Sequence, residues 1–183
     1  MKPARLFWVG HCGSWRQRQS GGDKVASEAA PFWTEPGVSS LSKLAVTRDV
    51  IRETLRLYPP VPMFVREAAQ DEMFRARNVR RGSQIVISPW HLHRHTRHWE
   101  RPDSFDPGRW NTATGRASSR AAYLPFSKGR RVCPGAGFAM AEAAVLLTGV
   151  MRRFRFEICG DPVPVAHLTV RARDGITLKV FPR

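Results

Sequence analysis

Phe126-Ser-Lys-Gly-Arg-Arg-Val-Cys-Pro-Gly135 is the stretch from which the fold and chemistry of this chain are most directly inferred. It sets Cys133 on a cation-rich loop bracketed by Gly129 and Gly135, directly before residues 136–151, an apolar and alanine-rich segment that we predict to be a helix. Amides at a helix start and nearby cations favour the thiolate, the form of cysteine that binds metals. The glycines let the backbone turn tightly and approach a bulky flat group. We therefore predict that Cys133 is a metal ligand.

The loop fills every fixed position of the pattern Phe-x-x-Gly-x-Arg-x-Cys-x-Gly. This pattern resembles the haem-binding signature of the cytochrome P450 family, the haem-thiolate monooxygenases. The resemblance implies haem b (iron protoporphyrin IX) as cofactor and Cys133 as axial iron ligand, with a thiolate that favours O–O cleavage. It also implies that Phe126 packs beside the sulfur, that Gly135 adjoins the cofactor and that Arg131 faces a haem propionate. A reduced structural cysteine at a helix start is the alternative.

Composition fits a single soluble globular domain. The chain has 183 residues, 42% of them apolar, which is enough for one hydrophobic core. Cys12, Cys133 and Cys159 are too few and too scattered for a disulfide framework, so we predict a reducing, cytoplasmic location. No apolar run approaches the roughly 20 residues that span a bilayer, and the patch 6–9 is too short for a signal-peptide core.

The net charge is strongly positive. Thirty lysines and arginines against 15 acidic residues give +15, with a pI near 11.3. Nucleic acid, an anionic membrane surface and an acidic protein are the usual partners of such a chain. Dispersed arginines disfavour specific nucleic-acid binding, which stays the weakest alternative. An acidic electron-transfer protein docking near Lys128 and Arg130 uses the charge better, and an arginine-rich solvated surface is an equal alternative.

Residues 41–57 are predicted to form a helix, because Leu44, Ile51, Leu55 and Tyr58 fall on one face. The two prolines that follow Tyr58 end this helix.

Glu53 and Arg56 stand one turn apart on that helix, so their charged groups can meet. Followed by Leu-Tyr-Pro-Pro, the pair resembles the K-helix motif of the same family. Residues 102–110 resemble the segment that supplies a second arginine, Arg109, to a buried triad, although Gly108 stands where an acidic residue is commoner. The alternative is three unrelated surface charges.

Between these motifs the chain is predicted to form short strands at 64–69 and 83–88. By the resemblance, Arg66 on the first strand faces a haem propionate, since buried carboxylates need paired donors.

The segment 90–98 is rich in histidine. In an extended chain His91, His93 and His95 share one face and could bind Zn²⁺ or Cu²⁺, although Arg94 and Arg97 would repel a dication. The resemblance favours another role, contact between His93 and a propionate.

Alternating apolar residues at 168–172 and 176–180, joined by Asp174-Gly175, predict a C-terminal hairpin. Residues 167–170 and 61–64 are candidates for substrate contact, with ordinary core packing as the alternative.

The predicted fold is mainly α with small β-sheets (α+β), the C-terminal portion of the cytochrome P450 fold. Residues 1–40 remain unassigned, as a disordered or non-native leader. Residues 41–183 form a partial domain that runs from the K-helix to the C-terminal hairpin. The family's distal helix, which relays protons to iron-bound oxygen, has no counterpart in residues 1–40.

The resemblance implies an oxidoreductase of the monooxygenase type, which inserts one oxygen atom from O₂ into a small apolar organic substrate. Its electrons would come from a ferredoxin, flavodoxin or flavoprotein reductase. A non-catalytic or vestigial haem-binding fragment is the alternative, and a basic nucleic-acid binder a weaker one.

Overall fold

The computed structural model describes residues 15–183, with side chains from residue 21 onward. Its α-helices are α1 (Trp15–Thr34), α2 (Val38–Leu41), α3 (Ala45–Leu57), α4 (Pro89–Leu92), α5 (Ala113–Ala122) and α6 (Ala136–Met151). Short 3-10 helices cover Pro107–Asn111 and Gly129–Arg131. The predictions for Cys12, for the patch 6–9 and for the rest of residues 1–14 lie outside the described range.

The strands pair two by two in antiparallel sheets. They are β1 (Phe64–Glu67), β2 (Glu72–Phe74), β3 (Arg77–Val79), β4 (Gln84–Ile87), β5 (Phe154–Cys159), β6 (Pro164–Ala166), β7 (Val170–Ala172) and β8 (Thr177–Pro182). The pairs are β1–β4, β2–β3, β5–β8 and β6–β7. This mainly helical structure with small sheets confirms the predicted α+β class. Within residues 15–183, no helix is both long and apolar enough to cross a membrane.

The main core lies between α1, α3 and α6. Its buried apolar side chains are Val25, Phe32, Leu44, Ile51, Leu55, Ala143, Ala144, Leu147 and Met151. The face predicted for the 41–57 helix is therefore the buried face of α3. The segment does not form one helix, because α2 ends at Leu41 and α3 begins at Ala45.

The start of α3 is held by a side chain from α1. The Glu28 carboxylate accepts hydrogen bonds from the amides of Val46 and Thr47, at 2.9 and 2.8 Å. Amides in the first turn of a helix have no intrahelical acceptor, so this carboxylate satisfies them and complements the helix dipole. A long-range cap of this kind has no local sequence signature, which is why the predicted start was four residues early.

Helix α1 corrects the prediction that residues 1–40 lack regular structure, for the part that the structure describes. Its buried apolar face consists of Val25, Ala29 and Phe32. The Gly21-Gly22 pair favours a loop in the sequence, yet it has a packing role here. A Cβ built on Gly22 would come 2.8 Å from the Cε of Met151, so glycine lets α1 approach α6 closely.

The C-terminal strands form, but they do not pair with each other as predicted. Strand β7 pairs with β6, and β8 pairs with β5. Gly175 has the left-handed backbone of a turn, with φ of 83°, but this turn leads from one sheet to another. A turn motif in the sequence indicates that the chain changes direction, but it does not indicate which strand the next strand pairs with. Strand β8, of 6 residues, pairs along its whole length with β5, which also has 6.

The β2–β3 hairpin closes on two non-glycine residues with left-handed backbone, Arg75 and Ala76, with φ of 48° and 60°. Such backbone costs an L-residue about 1–2 kcal/mol, and glycine is preferred in two-residue loops of this kind. We expect Ala76→Gly to raise the free energy of unfolding by about 0.5–1 kcal/mol, because glycine's larger unfolded-state entropy offsets part of the gain. Urea denaturation measures this change. The control Ala117→Gly, inside exposed α5, should lower stability by about 1 kcal/mol, and a loss at Ala76 would contradict the prediction.

Candidate functional site

The cysteine loop is ordered by its own backbone. The Cys133 amide donates to the carbonyl oxygen of Phe126 at 2.9 Å, which closes the loop at its base. Ser127 and Gly129 adopt left-handed backbone, with φ of 66° and 75°, and turn the chain back. The carbonyl of Cys133 accepts the Ala136 amide at 3.3 Å, so the cysteine directly precedes α6. The predicted juxtaposition of cysteine, tight turn and helix start is present.

The predicted cofactor residues around the loop differ in their surroundings. Arg66 reaches it from β1, donating from Nη2 to Ser127 Oγ at 2.9 Å while its guanidinium lies 4.6 Å from the Phe64 ring centroid. Phe126 is half-buried and packs against the main core. Arg131 is exposed on the 3-10 helix before Cys133. The contact between Arg66 and Ser127 was not predicted, since nothing local in the sequence pairs β1 with the loop.

The loop fits a flat, iron-bearing group on the side of its sulfur. Cys133 is exposed and carries a free thiol. A Cβ built on Gly135 would lie 3.8 Å from Sγ, at ordinary contact distance, so residue 135 adjoins the sulfur. Val132 and Phe138 are exposed apolar residues, with 52% and 73% of their surface accessible. An accessible sulfur with bare backbone and apolar side chains nearby suits a haem-thiolate ligand.

The residues Glu53, Arg56 and Arg109 do come together, in the interior. Glu53 accepts from Arg56 at 3.0 Å on Oε2 and 2.9 Å on Oε1, a bidentate pair. Its Oε1 also accepts from Arg109 Nε at 2.9 Å and from the Asp106 amide at 3.0 Å. Both partners of the Glu53–Arg56 pair are fully buried, and Arg109 is 6% exposed. The alternative of three unrelated surface charges is therefore wrong.

One carboxylate does not neutralise two guanidinium groups, and main-chain carbonyls supply the remaining hydrogen-bond acceptors. Arg56 donates to the carbonyl oxygens of His93, Pro102 and Ser104. Arg109 donates to those of Glu100, Arg101 and Ser104. Because buried charges need such partners, the segment that follows α4 is wrapped around the two side chains.

His93 corrects the prediction of a propionate contact. Its side chain is completely buried, and both ring nitrogens have main-chain partners. Nδ1 lies 3.0 Å from the carbonyl oxygen of Arg56, and Nε2 accepts the Leu124 amide at 2.8 Å. One neutral tautomer, protonated on Nδ1, satisfies both. No nitrogen is left to donate to a carboxylate, so His93 has a structural role, which its position in the sequence did not distinguish from a ligand's.

The surroundings of His93 are aromatic. Tyr123 lies against the imidazole, with ring centroids 5.3 Å apart, and Trp110 lies 4.8 Å from Tyr123. The Tyr123 hydroxyl donates to the carbonyl oxygen of Arg52 at 3.1 Å. Burial raises the pKa of Tyr123 above its ordinary value. The imidazole is thus fixed on its face as well as at both nitrogens.

Acid is expected to destabilise the protein through His93. Burial, followed by nearby cations, lowers the pKa of His93 from 6.5 to about 4. Between pH 6.5 and 4 the unfolded state therefore binds a proton at this imidazole, and the folded state does not. The contribution of His93 to the free energy of unfolding is complete above about pH 6.5. It falls as the pH drops towards 4, by up to about 3 kcal/mol. Urea denaturation across this range measures the slope. His93→Gln, which cannot titrate, should show a slope smaller by one proton, and an unchanged slope would contradict the assignment.

The histidine-rich segment does not form a metal site. Among the described residues, no group of three histidine, cysteine or acidic side chains is placed to hold a metal ion. His91 Nδ1 instead lies 2.9 Å from Ser88 Oγ, and His95 Nδ1 accepts the Arg97 amide. Helix α4 and the turns after it replace the extended chain on which the prediction relied, so the side chains do not share one face.

The two segments predicted to contact substrate lie side by side. The Val170 amide donates to the carbonyl oxygen of Pro60 at 3.0 Å. Val170 itself is buried, in a small core with Leu57 and Tyr58. Other members of the two segments are exposed: Val61, Met63, His167 and Leu168. These exposed side chains are free to form part of an apolar contact surface.

The sequence of this chain is similar to those of known proteins. The family model described as Cytochrome P450 matches residues 24–180. Cyclooctatin synthase of Streptomyces melanosporofaciens is 35% identical over 85% of this chain and 32% of its own length. LUTEIN DEFICIENT 5, a chloroplastic protein of Arabidopsis thaliana, is 34% identical over 81% of this chain and 26% of its own length.

A solved structure shows the same fold. The crystal structure of the cytochrome P450DA heme domain superposes with a TM-score of 0.79 and 28% identity, covering 92% of this chain and 38% of the solved one. The chain thus spans about a third of the length of the proteins that it matches. The family match begins at residue 24, within α1, so it includes a segment outside the 41–183 range of the sequence resemblance. With the cysteine loop and the buried ion pairs, these matches show that the chain belongs to the cytochrome P450 family.

Proposed function

We propose that this chain binds haem b through Cys133 and forms the thiolate-bearing part of a monooxygenase that oxidises a small apolar organic substrate. Family membership implies haem and monooxygenase chemistry in general. The observation that carries the proposal for this chain is the accessible Cys133 sulfur beside Gly135, on a loop whose backbone is already ordered. Bound haem supplies oxygen activation and electron transfer.

The residues of this chain have separate tasks in that proposal. Cys133 holds the iron, while Arg66 and Arg131 donate to the propionates. Arg66 already lies beside the loop through Ser127, which supports its assignment. The buried set of Glu53, Arg56 and Arg109 has a structural task, because it fixes the chain around α3.

Partner and substrate follow from the exposed side chains. Lys128 and Arg130 are exposed on the cysteine loop, which supports docking of an acidic ferredoxin, flavodoxin or flavoprotein reductase there. Val61, Met63 and Leu168 expose 41%, 53% and 89% of their surface, which supports an apolar substrate. Cys133 and Cys159 are free thiols, which supports a reducing compartment such as the cytoplasm.

The second candidate is a haem-binding protein without catalysis of its own. The chain covers 26% to 38% of the matched proteins, so turnover is tested separately from haem binding. Turnover separates the candidates: with substrate and a redox partner, a monooxygenase consumes reducing equivalents in a substrate-dependent way.

A carbon monoxide spectrum tests the ligand. The chain is expressed with a supply of haem, reduced and exposed to carbon monoxide. We expect a strongly red-shifted, thiolate-type Soret band that is lost in Cys133→Ala and retained in the matched control Cys159→Ala. Because Cys133 is exposed, its replacement should leave the thermal midpoint of the apoprotein unchanged. Identical spectra for the wild type and Cys133→Ala would contradict the assignment.

A further inference from the structure

We propose that His93 is a positioning residue that connects the buried ion pairs to the cysteine loop. The inference deepens the function proposed above, because it assigns a support to the loop that would hold the cofactor. It starts from an observation that the cofactor does not explain: a completely buried histidine with two main-chain partners from different parts of the chain.

The first connection is reciprocal. The His93 ring donates from Nδ1 to the carbonyl oxygen of Arg56, at 3.0 Å. In return, Arg56 donates from Nη1 to the carbonyl oxygen of His93, at 2.8 Å. Each side chain therefore holds the other residue's main chain, and the guanidinium in this exchange is the one that Glu53 pairs with. Displacement of either residue breaks both bonds.

The second connection leads to the loop. The Leu124 amide donates to His93 Nε2 at 2.8 Å, where the chain leaves α5 and enters the cysteine loop. Phe126, two residues further on, is the acceptor for the Cys133 amide at 2.9 Å. Hydrogen bonds and two residues of chain thus link Arg56 to Cys133. The start of the loop is anchored at Leu124, held by His93, and at Phe126, packed on the core.

Two substitutions separate the two bonds of the ring. In His93→Gln the amide oxygen can reach the place of Nε2 and accept the Leu124 amide. In His93→Asn the shorter amide can keep the bond to the Arg56 carbonyl, but it leaves the Leu124 amide unpaired. Both side chains are neutral, polar and smaller than histidine. The two variants therefore differ mainly in which of the two hydrogen bonds of the ring they keep. His95→Asn, at an exposed histidine of the same segment, is the matched control.

Amide hydrogen exchange on the apoprotein is the primary test, because it does not depend on haem. We expect the Leu124 and Cys133 amides to exchange about tenfold faster in His93→Asn than in the wild type, and within about threefold of the wild type in His93→Gln and His95→Asn. In the wild type, under mild denaturant, both amides should open together with the last turn of α3. If His93→Asn does not fold, this measurement on the wild type still tests whether His93 connects α3 to the loop. Exchange that is unchanged in His93→Asn, or opening separate from α3, overturns the proposal.

The carbon monoxide spectrum of the same variants separates this proposal from that of the function. Where haem binds, His93→Asn should lose most of its thiolate-type band and His93→Gln should keep it. Exchange that follows the expected pattern, with no such band in the wild type, would support the positioning role and refute haem ligation. Bands in every variant, with no difference in exchange, would support haem ligation and overturn the positioning role.

Discussion

Replacement of Glu53 by glutamine is expected to lower the free energy of unfolding by about 3–5 kcal/mol, which is the usual cost of removing one partner from a buried ion pair. Glutamine keeps the shape and one acceptor oxygen, but it removes the only carboxylate that Arg56 and Arg109 share in the described structure. Two guanidinium groups would then be buried against carbonyl dipoles alone. At pH 7 such a loss is a large part of the stability of a domain of this size.

Urea denaturation of the apoprotein measures this effect. The control is Asp103→Asn, which removes the acidic partner of Arg94 from an ion pair whose acidic side chain is 79% exposed, and should cost less than about 1 kcal/mol. The double variant of Glu53→Gln with Arg109→Met should lose less than the sum of the two single losses, because the residues interact. Equal losses for Glu53→Gln and Asp103→Asn would show that the buried ion pairs do not stabilise the fold.

The second large effect is expected from a single methyl group at Gly115. A Cβ built there would overlap the carbonyl oxygen and carbon of Arg109 and would lie 3.0 Å from Thr112 Oγ1. These groups form one compact corner, because Thr112 donates to the Arg109 carbonyl at 2.8 Å and accepts the Gly115 amide at 2.9 Å. Gly115→Ala must therefore move α5 or the backbone of Arg109, and with it the guanidinium that reaches Glu53.

We expect Gly115→Ala to lower the free energy of unfolding by about 3 kcal/mol, at the upper end of the usual cost of overpacking. The control is Gly137→Ala in α6, where an added Cβ meets nothing within 4 Å. That control should gain up to about 1 kcal/mol, because alanine is the better helix former. Thermal or urea denaturation gives both values. Stabilisation by Gly115→Ala would mean that the corner is not closely packed.

The cysteine loop and the Glu53–Arg56 pair could be predicted because they depend on fixed local spacings, and the role of Cys133 as iron ligand stays a prediction. Cys133 needs its neighbours within ten residues, and Glu53 and Arg56 need one helical turn. Arg109 was also assigned correctly, since the motif around it is specific. The contact between Glu53 and Arg109 joins residues 56 apart, and the resemblance to the family supplied it.

The predictions that were wrong depend on contacts between distant segments of the chain. The contact between His93 and Leu124 involves a main-chain amide, which leaves no trace in the identity of residue 124. The pairing of β8 with β5 depends on which strand lies alongside, and the turn at Gly175 does not indicate it. The sequence did not indicate helix α1, because Gly21 and Gly22 are loop signals in isolation, whereas in the fold Gly22 packs closely against the end of the Met151 side chain.

The backbone bonds within the cysteine loop have a consequence for the thermodynamics of binding. The bond from the Cys133 amide to Phe126 and the left-handed turns at Ser127 and Gly129 are made by the chain alone. A ligand that bonds to Cys133 therefore meets a preorganised receptor and does not have to order these residues, each of which would otherwise lose about 1–2 kcal/mol of conformational entropy. Affinity at this site should accordingly depend more on the dissociation rate of the ligand than on the rate at which the loop forms.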